Sequence, residues 1–386
     1  MTLPNLHTQA HPLTLCDTVL VPDELTFENM VFWETEDLTD WLTQYAPEQG
    51  TCTTSELPQR VIKADKTIMT KYPCYSRPVH TKFAYEEHRA VTGRLHQVKH
   101  IRKRVPPVDE TLRDMANAFF RSDSAQVISR YKEQPLTFDP AGTADWLNKH
   151  KSSKKVWQEV YDILAGGLMK VPFSSVNVHL KLESLLKDVD AVIMKWEQQK
   201  SRIIVWQNYF VAAIFSPIFT KAKQRLKAML GSNVVYADGH TPYQLSAFVR
   251  NFQRVNWFYE NDLTRQDRQT DKPILDVEFE IYKMLGVHQD ALGLWTSIHD
   301  RWQYKGTYTR GSLKYMRMTG QATTAIGNVI TNMQVHAKFV VDNKDAIEFV
   351  MMLGDDNLMG LNRPVPTSTL RRSIADNFNM QSKDFL

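Results

Sequence analysis

A chain of 386 residues with 42% hydrophobic content can bury a substantial core, as two or three packed subdomains or one large irregular one. The charged fraction of 23%, with 15 glycines and 17 prolines, excludes disordered, low-complexity and collagen-like classes. A net charge of +4 is too small to argue for a nucleic-acid partner by itself, so any such claim rests on where the basic residues sit.

The N-terminus lacks the basic and apolar regions of a signal peptide, and the first 170 or so residues mix turn signals with short helical patterns. Cys16, Cys52 and Cys74 are odd in number and share no CxxC or Cys/His spacing, which fits a reducing compartment better than a disulfide framework or a structural zinc site. Two basic stretches, GRLHQVKHIRKR at 93–104 and KHKSSKK at 149–155, read as solvated faces or linkers, with contact to a nucleic-acid backbone as the alternative. The longest apolar-rich run, YFVAAIFSPIF at 209–219, is too short to cross a bilayer, so the chain reads as cytosolic.

From Val176 the texture changes to alternating basic and apolar residues, then a predicted helix over 219–230 and a strand-like run, NVVY. RVNWFYEND at 254–262 reads as an aromatic strand ending in acidic residues. ILDVEFEIYKMLG has helical spacing and stops at Gly286, as a cap glycine would. TGQATTAIGNVITNMQVHAKFV reads as a small-residue loop entering a helix, AIEFVMMLGDDNLMGL as two apolar strands joined at GDD, and TSTLRRSIADNFNM as a last helix. With no internal repeat visible, the C-terminal half is an α+β unit with acidic residues at strand ends.

Those acidic residues form a constellation. Asp355 and Asp356 emerge from a hairpin whose flanks are apolar, and charge beside buried strands is costly without a counter-ion. Asp262, at the end of a neighbouring strand, can reach the same metal ions, and two Mg²⁺ would then clamp an in-line phosphoryl displacement. Asp267, one turn further on, would then read a ribose hydroxyl. Thr324 and Asn328 share one face if the segment after Gly320 is helical, and Asn328 carries both donor and acceptor for a 2′-hydroxyl. Each element alone also reads as a solvated turn, a helix cap or a small-residue packing face.

Taken in order, Asp262 with Asp267, Gly320 with Thr324 and Asn328, and Gly354-Asp355-Asp356 resemble motifs A, B and C of positive-strand RNA virus polymerases of the alphavirus-like superfamily. Motif A stands as DLTRQDRQT and motif B as TGQATTAIGNV. Thr319 stands in place of the usual serine, Gln321 of an acidic residue, Val329 of threonine, and Gln266 where an aromatic is frequent. Upstream, HLKLESLLK and QQKSRIIVW resemble motif F, whose Lys181, Lys187, Lys200 and above all Arg202 would meet the triphosphate. ADNFNMQSK resembles motif D, with Lys383 as the general acid for the leaving pyrophosphate.

The resemblance implies a right-hand polymerase fold of fingers and palm, the palm an antiparallel sheet flanked by helices, with motif E and the thumb missing. It implies an N-terminal or fingers extension over 1–175, fingers with motif F over 176–255 and a palm over 256–386, with 288–315 as a candidate fingers insertion. Template-directed RNA synthesis from ribonucleoside triphosphates would need two Mg²⁺, or Mn²⁺ in substitution, held by Asp262, Asp355 and Asp356. Gly320 and Thr319 would contact RNA. The partners implied are an RNA template and nascent strand, helicase and capping domains of a replicase, and a thumb outside this chain. The location implied is the host cytoplasm, in membrane-associated replication complexes. Two alternatives are a reverse transcriptase-like polymerase, against which Asp267 and Asn328 argue, and a non-catalytic RNA-binding polymerase fragment working within a larger replicase.

Overall fold

The computed structural model describes residues 50–54, 84–96, 100–150, 152–166, 173–181 and 202–385. In chain order these form β1 (Gly50–Thr54), α1 (Ala84–Val91), α2 (Val108–Phe119), α3 (Ser124–Glu133), α4 (Pro140–Lys149), α5 (Lys154–Gly166), β2 (Ser175–Leu180) and β3 (Ile203–Gln207). There follow α6 (Tyr209–Met229), β4 (Val234–Tyr236), α7 (Pro242–Arg250), β5 (Trp257–Thr264), α8 (Gln266–Gln269), α9 (Lys272–Met284) and α10 (Gln289–Asp300). The chain continues through β6 (Trp302–Lys305), β7 (Thr309–Leu313), α11 (Thr324–Asp342), β8 (Ile347–Leu353), β9 (Asp356–Leu361), α12 (Ser368–Phe378) and β10 (Gln381–Phe385).

Two compact units interleave along this order. The first draws its described residues from 50–54, 84–96, 175–181, 202–205 and 303–313. It is built on a sheet of order β1-β7-β6-β2-β3. A polar knot in it is Glu87 of α1, whose carboxylate accepts from the backbone N–H of Tyr308 and Thr309 at 3.0 Å each and from the Thr309 hydroxyl at 2.8 Å.

The second unit holds 98–174, 206–302 and 314–386. Its sheet runs β10-β5-β9-β8-β4, antiparallel throughout except for β4, which joins β8 in parallel. The alternating burial of β5 explains the layering: Tyr259, Asn261 and Leu263 are buried, while Glu260 is exposed and Asp262 half-buried on the opposite face. Behind the sheet lies α11, apolar along most of its length, with α2, α9 and α12 packed against it. An aromatic cluster of Phe215, Phe219, Tyr282 and Trp295 joins α6, α9 and α10, with ring centroids 4.8 to 6.2 Å apart.

Several expectations from the sequence are met. The stop at Gly286 is a left-handed residue (φ +80), and a Cβ there would run into the Tyr131 carbonyl and Arg225. The small-residue loop enters its helix at Thr324. Other expectations change. The helix predicted over 219–230 begins at Tyr209 and continues through Pro217, because the apolar run before it is buried on the same helix. Asp262 lies inside β5 rather than at its end, since β5 is held on both sides, by β9 and by β10, and continues to Thr264. The basic stretch ending at Arg104 keeps Lys103 and Arg104 exposed, as a solvated face would, yet it is tied down rather than a free linker in its described part. Arg102 grips Asp271 through two hydrogen bonds (2.6 and 3.1 Å), and the backbone N–H groups of Lys103 and Arg104 donate to the Asp376 carbonyl.

Candidate active site

Strand register assembles the acidic residues. β8 and β9 meet at a two-residue turn in which Leu353 pairs with Asp356, leaving Gly354 and Asp355 as its corners. Gly354 has φ +64, which puts glycine first in the loop, as type II′ hairpins require. Across the next ladder Asp356 pairs with Asp262, and across the one after that Asp262 pairs with Lys383. Lys383, Asp262 and Asp356 therefore stand in one row on the sheet face away from α11, with Cβ atoms of direct partners about 5 Å apart by strand geometry. Asp355 projects from the turn beside them.

The charges are felt. Burial pushes the Asp355 carboxyl above the usual carboxylate range, and Asp356, Asp262 and Asp267 push it in the same direction. Asp356 is also raised, first by burial and then by Asp262 and Glu260. Hard carboxylate oxygens concentrated at one turn suit a divalent cation such as Mg²⁺. Among the described residues, no three His, Cys, Asp or Glu side chains are drawn in to metal-ligand geometry. The donor chemistry fits such an ion.

Asp267 and Asn328, the residues expected to read a ribose, sit in the loop after β5 and in the first turns of α11. Asp267 lies in α8, two residues past the left-handed Arg265, and its carboxylate accepts from the Arg268 N–H at 2.9 Å. Gln266 donates from Nε2 to the Asn328 carbonyl at 2.8 Å, joining the loop after β5 to the first turns of α11. Asn328 Oδ1 is shielded from solvent and has no hydrogen-bond partner in the structure. Thr324 is on the same helix, but its hydroxyl is engaged in its own loop: it accepts from the Gln321 N–H at 2.9 Å and lies within donating distance of the Met318 and Gln321 carbonyls. Thr319 and Gly320 are exposed, Gly320 bridging to Trp206. In the other unit, the Lys181 N–H donates to the Arg202 carbonyl at 2.8 Å, tying the end of β2 to the start of β3. Lys187 and Lys200 lie outside the described residues.

Sequence reading missed the polar groups behind the acidic row. Asn261 and Asn357, each beside a site aspartate, are buried on the helix side of the sheet, as are Asn332 and His336 of α11. Strand alternation signals the first two, since neighbours of outward aspartates must point inward; Asn332 sits one helical turn beyond Asn328. Also missed was a fully buried ion pair, Arg317 with Glu278, whose carboxylate further accepts from the Tyr282 hydroxyl at 2.7 Å. The Arg317 backbone N–H donates to the Asp267 carbonyl at 3.1 Å, so this pair anchors the loop that carries Asp267.

Comparisons with known proteins point to one family. The family model described as RNA dependent RNA polymerase matches residues 86–385. The RNA-directed RNA polymerase 2a of Tobacco streak virus is 27% identical over 207 residues, covering 51% of this chain and 25% of that protein. Its counterpart from Brome mosaic virus is 25% identical over 280 residues, covering 70% and 33%. A solved structure, the Sicinivirus 3Dpol RNA dependent RNA polymerase, shows a partial likeness: TM-score 0.46 and 16% identity, over 60% of this chain and 48% of that one. The chain thus spans no more than about a third of the length of either curated relative.

Proposed function

From a chain that belongs to the RNA-dependent RNA polymerase family, we propose template-directed nucleotidyl transfer from ribonucleoside triphosphates, carried out at the β5–β9 end of the second unit's sheet. The observation that carries the reading is the register of Asp262 with Asp356, beside a hairpin turn that presents Asp355. On this reading Asp262, Asp355 and Asp356 hold two Mg²⁺ or Mn²⁺ ions. When bound, those ions supply charge neutralisation at the attacking and leaving oxygens of the phosphoryl displacement.

The remaining residues take positions suited to the rest of the step. Asp267 and the unpartnered Asn328 Oδ1 are suited to orienting the ribose, the latter by accepting from its 2′-hydroxyl. Lys383, opposite Asp262, is suited to delivering a proton to the departing pyrophosphate oxygen. Lys181 and Arg202, with Lys187 and Lys200, remain the proposed contacts to the triphosphate. RNA template and product, together with other domains of a larger replicase in the host cytoplasm, are the proposed partners. Among the described residues no helix is long and apolar enough to cross a membrane.

Primer extension on an RNA template tests the reading, with Asp355→Ala and Asp356→Ala alongside. Synthesis that is undiminished in both variants would remove the metal assignment. A wild-type chain that binds RNA with a steep salt dependence yet makes no product would favour a non-catalytic role instead.

A further inference from the structure

Behind the row Lys383, Asp262 and Asp356 runs a second row, one residue along each strand: Asp384 pairs with Asn261, and Asn261 with Asn357. Asn261 and Asn357 are at most 1% exposed. Facing them from α11 are Asn332 and His336, both fully buried. Buried amides are costly unless paired, and these are paired chiefly with one another and with the hairpin turn.

Asn332 occupies the junction. Its Nδ2 donates to the Asp356 carbonyl at 3.0 Å and lies 3.3 Å from the Gly354 carbonyl, while its Oδ1 accepts from Asn357 Nδ2 at 2.8 Å. The Gly354 carbonyl belongs to the peptide plane before Asp355, and the Asp356 carbonyl to the plane after Asp356. Gripping both planes fixes the backbone on either side of the two aspartates. The network continues sideways. His336 Nδ1 lies 2.8 Å from the Asn332 carbonyl and Nε2 3.1 Å from Asn261 Oδ1, and Asn261 Nδ2 donates to Asp384 at 2.8 Å. Buried polar side chains in mutual contact thus back β9, β5 and β10 at the positions next to the outer row.

We infer that Asn332 is a positioning residue for the acidic turn, its side-chain amide setting the direction in which Asp355 and Asp356 present their carboxylates to a divalent cation. The inference rests on the reading of that turn as the metal-holding site. Outer groups that orient metal ligands contribute 10- to 100-fold in affinity, so Asn332→Leu, which keeps the branched skeleton and removes the amide's donor and acceptor, weakens divalent binding by about 10-fold or more.

The test is Mn²⁺ binding followed by the electron paramagnetic resonance of the free ion, with unfolding midpoints measured on the same samples. Gln334→Leu is the control. Gln334 is buried on the same helix and donates from Nε2 to the Ile274 carbonyl at 3.1 Å, so it loses a comparable hydrogen bond away from the turn. The expected result is weaker Mn²⁺ binding in Asn332→Leu, wild-type binding in Gln334→Leu, and loss in Asp355→Asn. Should Asn332→Leu fail to fold, Asn357→Leu, which removes the partner of Asn332 Oδ1, is expected to weaken binding several-fold. Equal binding in wild type and the amide variants, equal weakening in Gln334→Leu, or no Mn²⁺ binding by the wild type would each overturn the inference. Primer extension by the wild type keeps the two claims apart: the expected binding pattern without RNA synthesis would remove the polymerase reading and leave the turn assignment standing.

Discussion

Replacing Arg317 with methionine removes a guanidinium from a place where neither it nor its partner Glu278 touches solvent. The Glu278 carboxylate would then keep the Tyr282 hydroxyl, 2.7 Å from Oε1, as its remaining support. Stripping one member from a buried pair costs about 3–5 kcal/mol, because a charge is left without compensation in a poorly polarisable interior. At roughly 2–4 °C per kcal/mol for a unit of a couple of hundred residues, the midpoint should fall by about 10 °C. The effect should reach the active site, since the Arg317 N–H holds the Asp267 carbonyl at 3.1 Å. Activity measured well below the new midpoint should therefore show a raised KM for ribonucleotides. Adding Glu278→Leu removes the stranded charge, and the double variant should recover most of the lost stability. Urea unfolding of the four species closes the cycle. A loss under about 1 kcal/mol in Arg317→Met, or a double variant as unstable as the two single losses added together, would refute the argument.

Three further outcomes are expected. Because burial and neighbouring carboxylates raise Asp355, its charged form is disfavoured in the folded chain and stability falls as pH rises through its folded value. Asp355→Asn should therefore melt higher than wild type in EDTA at neutral pH while losing synthesis, and a lower melting temperature would contradict this. His336 and His299 are pushed down by burial to about 4 and about 3, so the unfolded chain takes up protons that the folded chain refuses. Stability should be full above about pH 6.5 and decline below it, by on the order of 2 kcal/mol per histidine at pH 5, as urea midpoints at pH 7 and 5 would register. Asn328→Ala should reduce the preference for ribo- over deoxyribonucleotides by about 10-fold, in line with one hydrogen bond to a buried polar group, and unchanged discrimination would assign the preference elsewhere.

The outer face of the site was legible because its signals are local. Gly354 before two aspartates calls for a hairpin, the aromatic run before Asp262 calls for a strand, and Asn328 follows Thr324 by one helical turn. What lay beyond reading was long-range pairing. Nothing near Lys383 in the sequence marks 381–385 as a strand; it becomes one by completing the hydrogen-bonding edge of β5. Arg317 and Glu278 look like surface charges until the fold encloses them. Arg102 reads as one of a basic run, and its bond to Asp271 depends on a contact made 169 residues away in sequence. The parallel joining of β4 to β8 is likewise a matter of topology rather than composition.

The order of strands gives the outer row unequal mechanical footing. Asp262 and Asp356 ride on interior strands, each laddered on two sides, whereas Lys383 rides on β10, which among the described residues is laddered to β5 alone. A strand zipped along a single edge opens at lower free energy than those behind it, so the sheet can release its amine while its carboxylates stay in register. Cation holding and proton supply, though adjacent in space, would then run on separate clocks. Hydrogen exchange should reveal this as faster turnover of the amides of 381–385 than of those of β5 and β9.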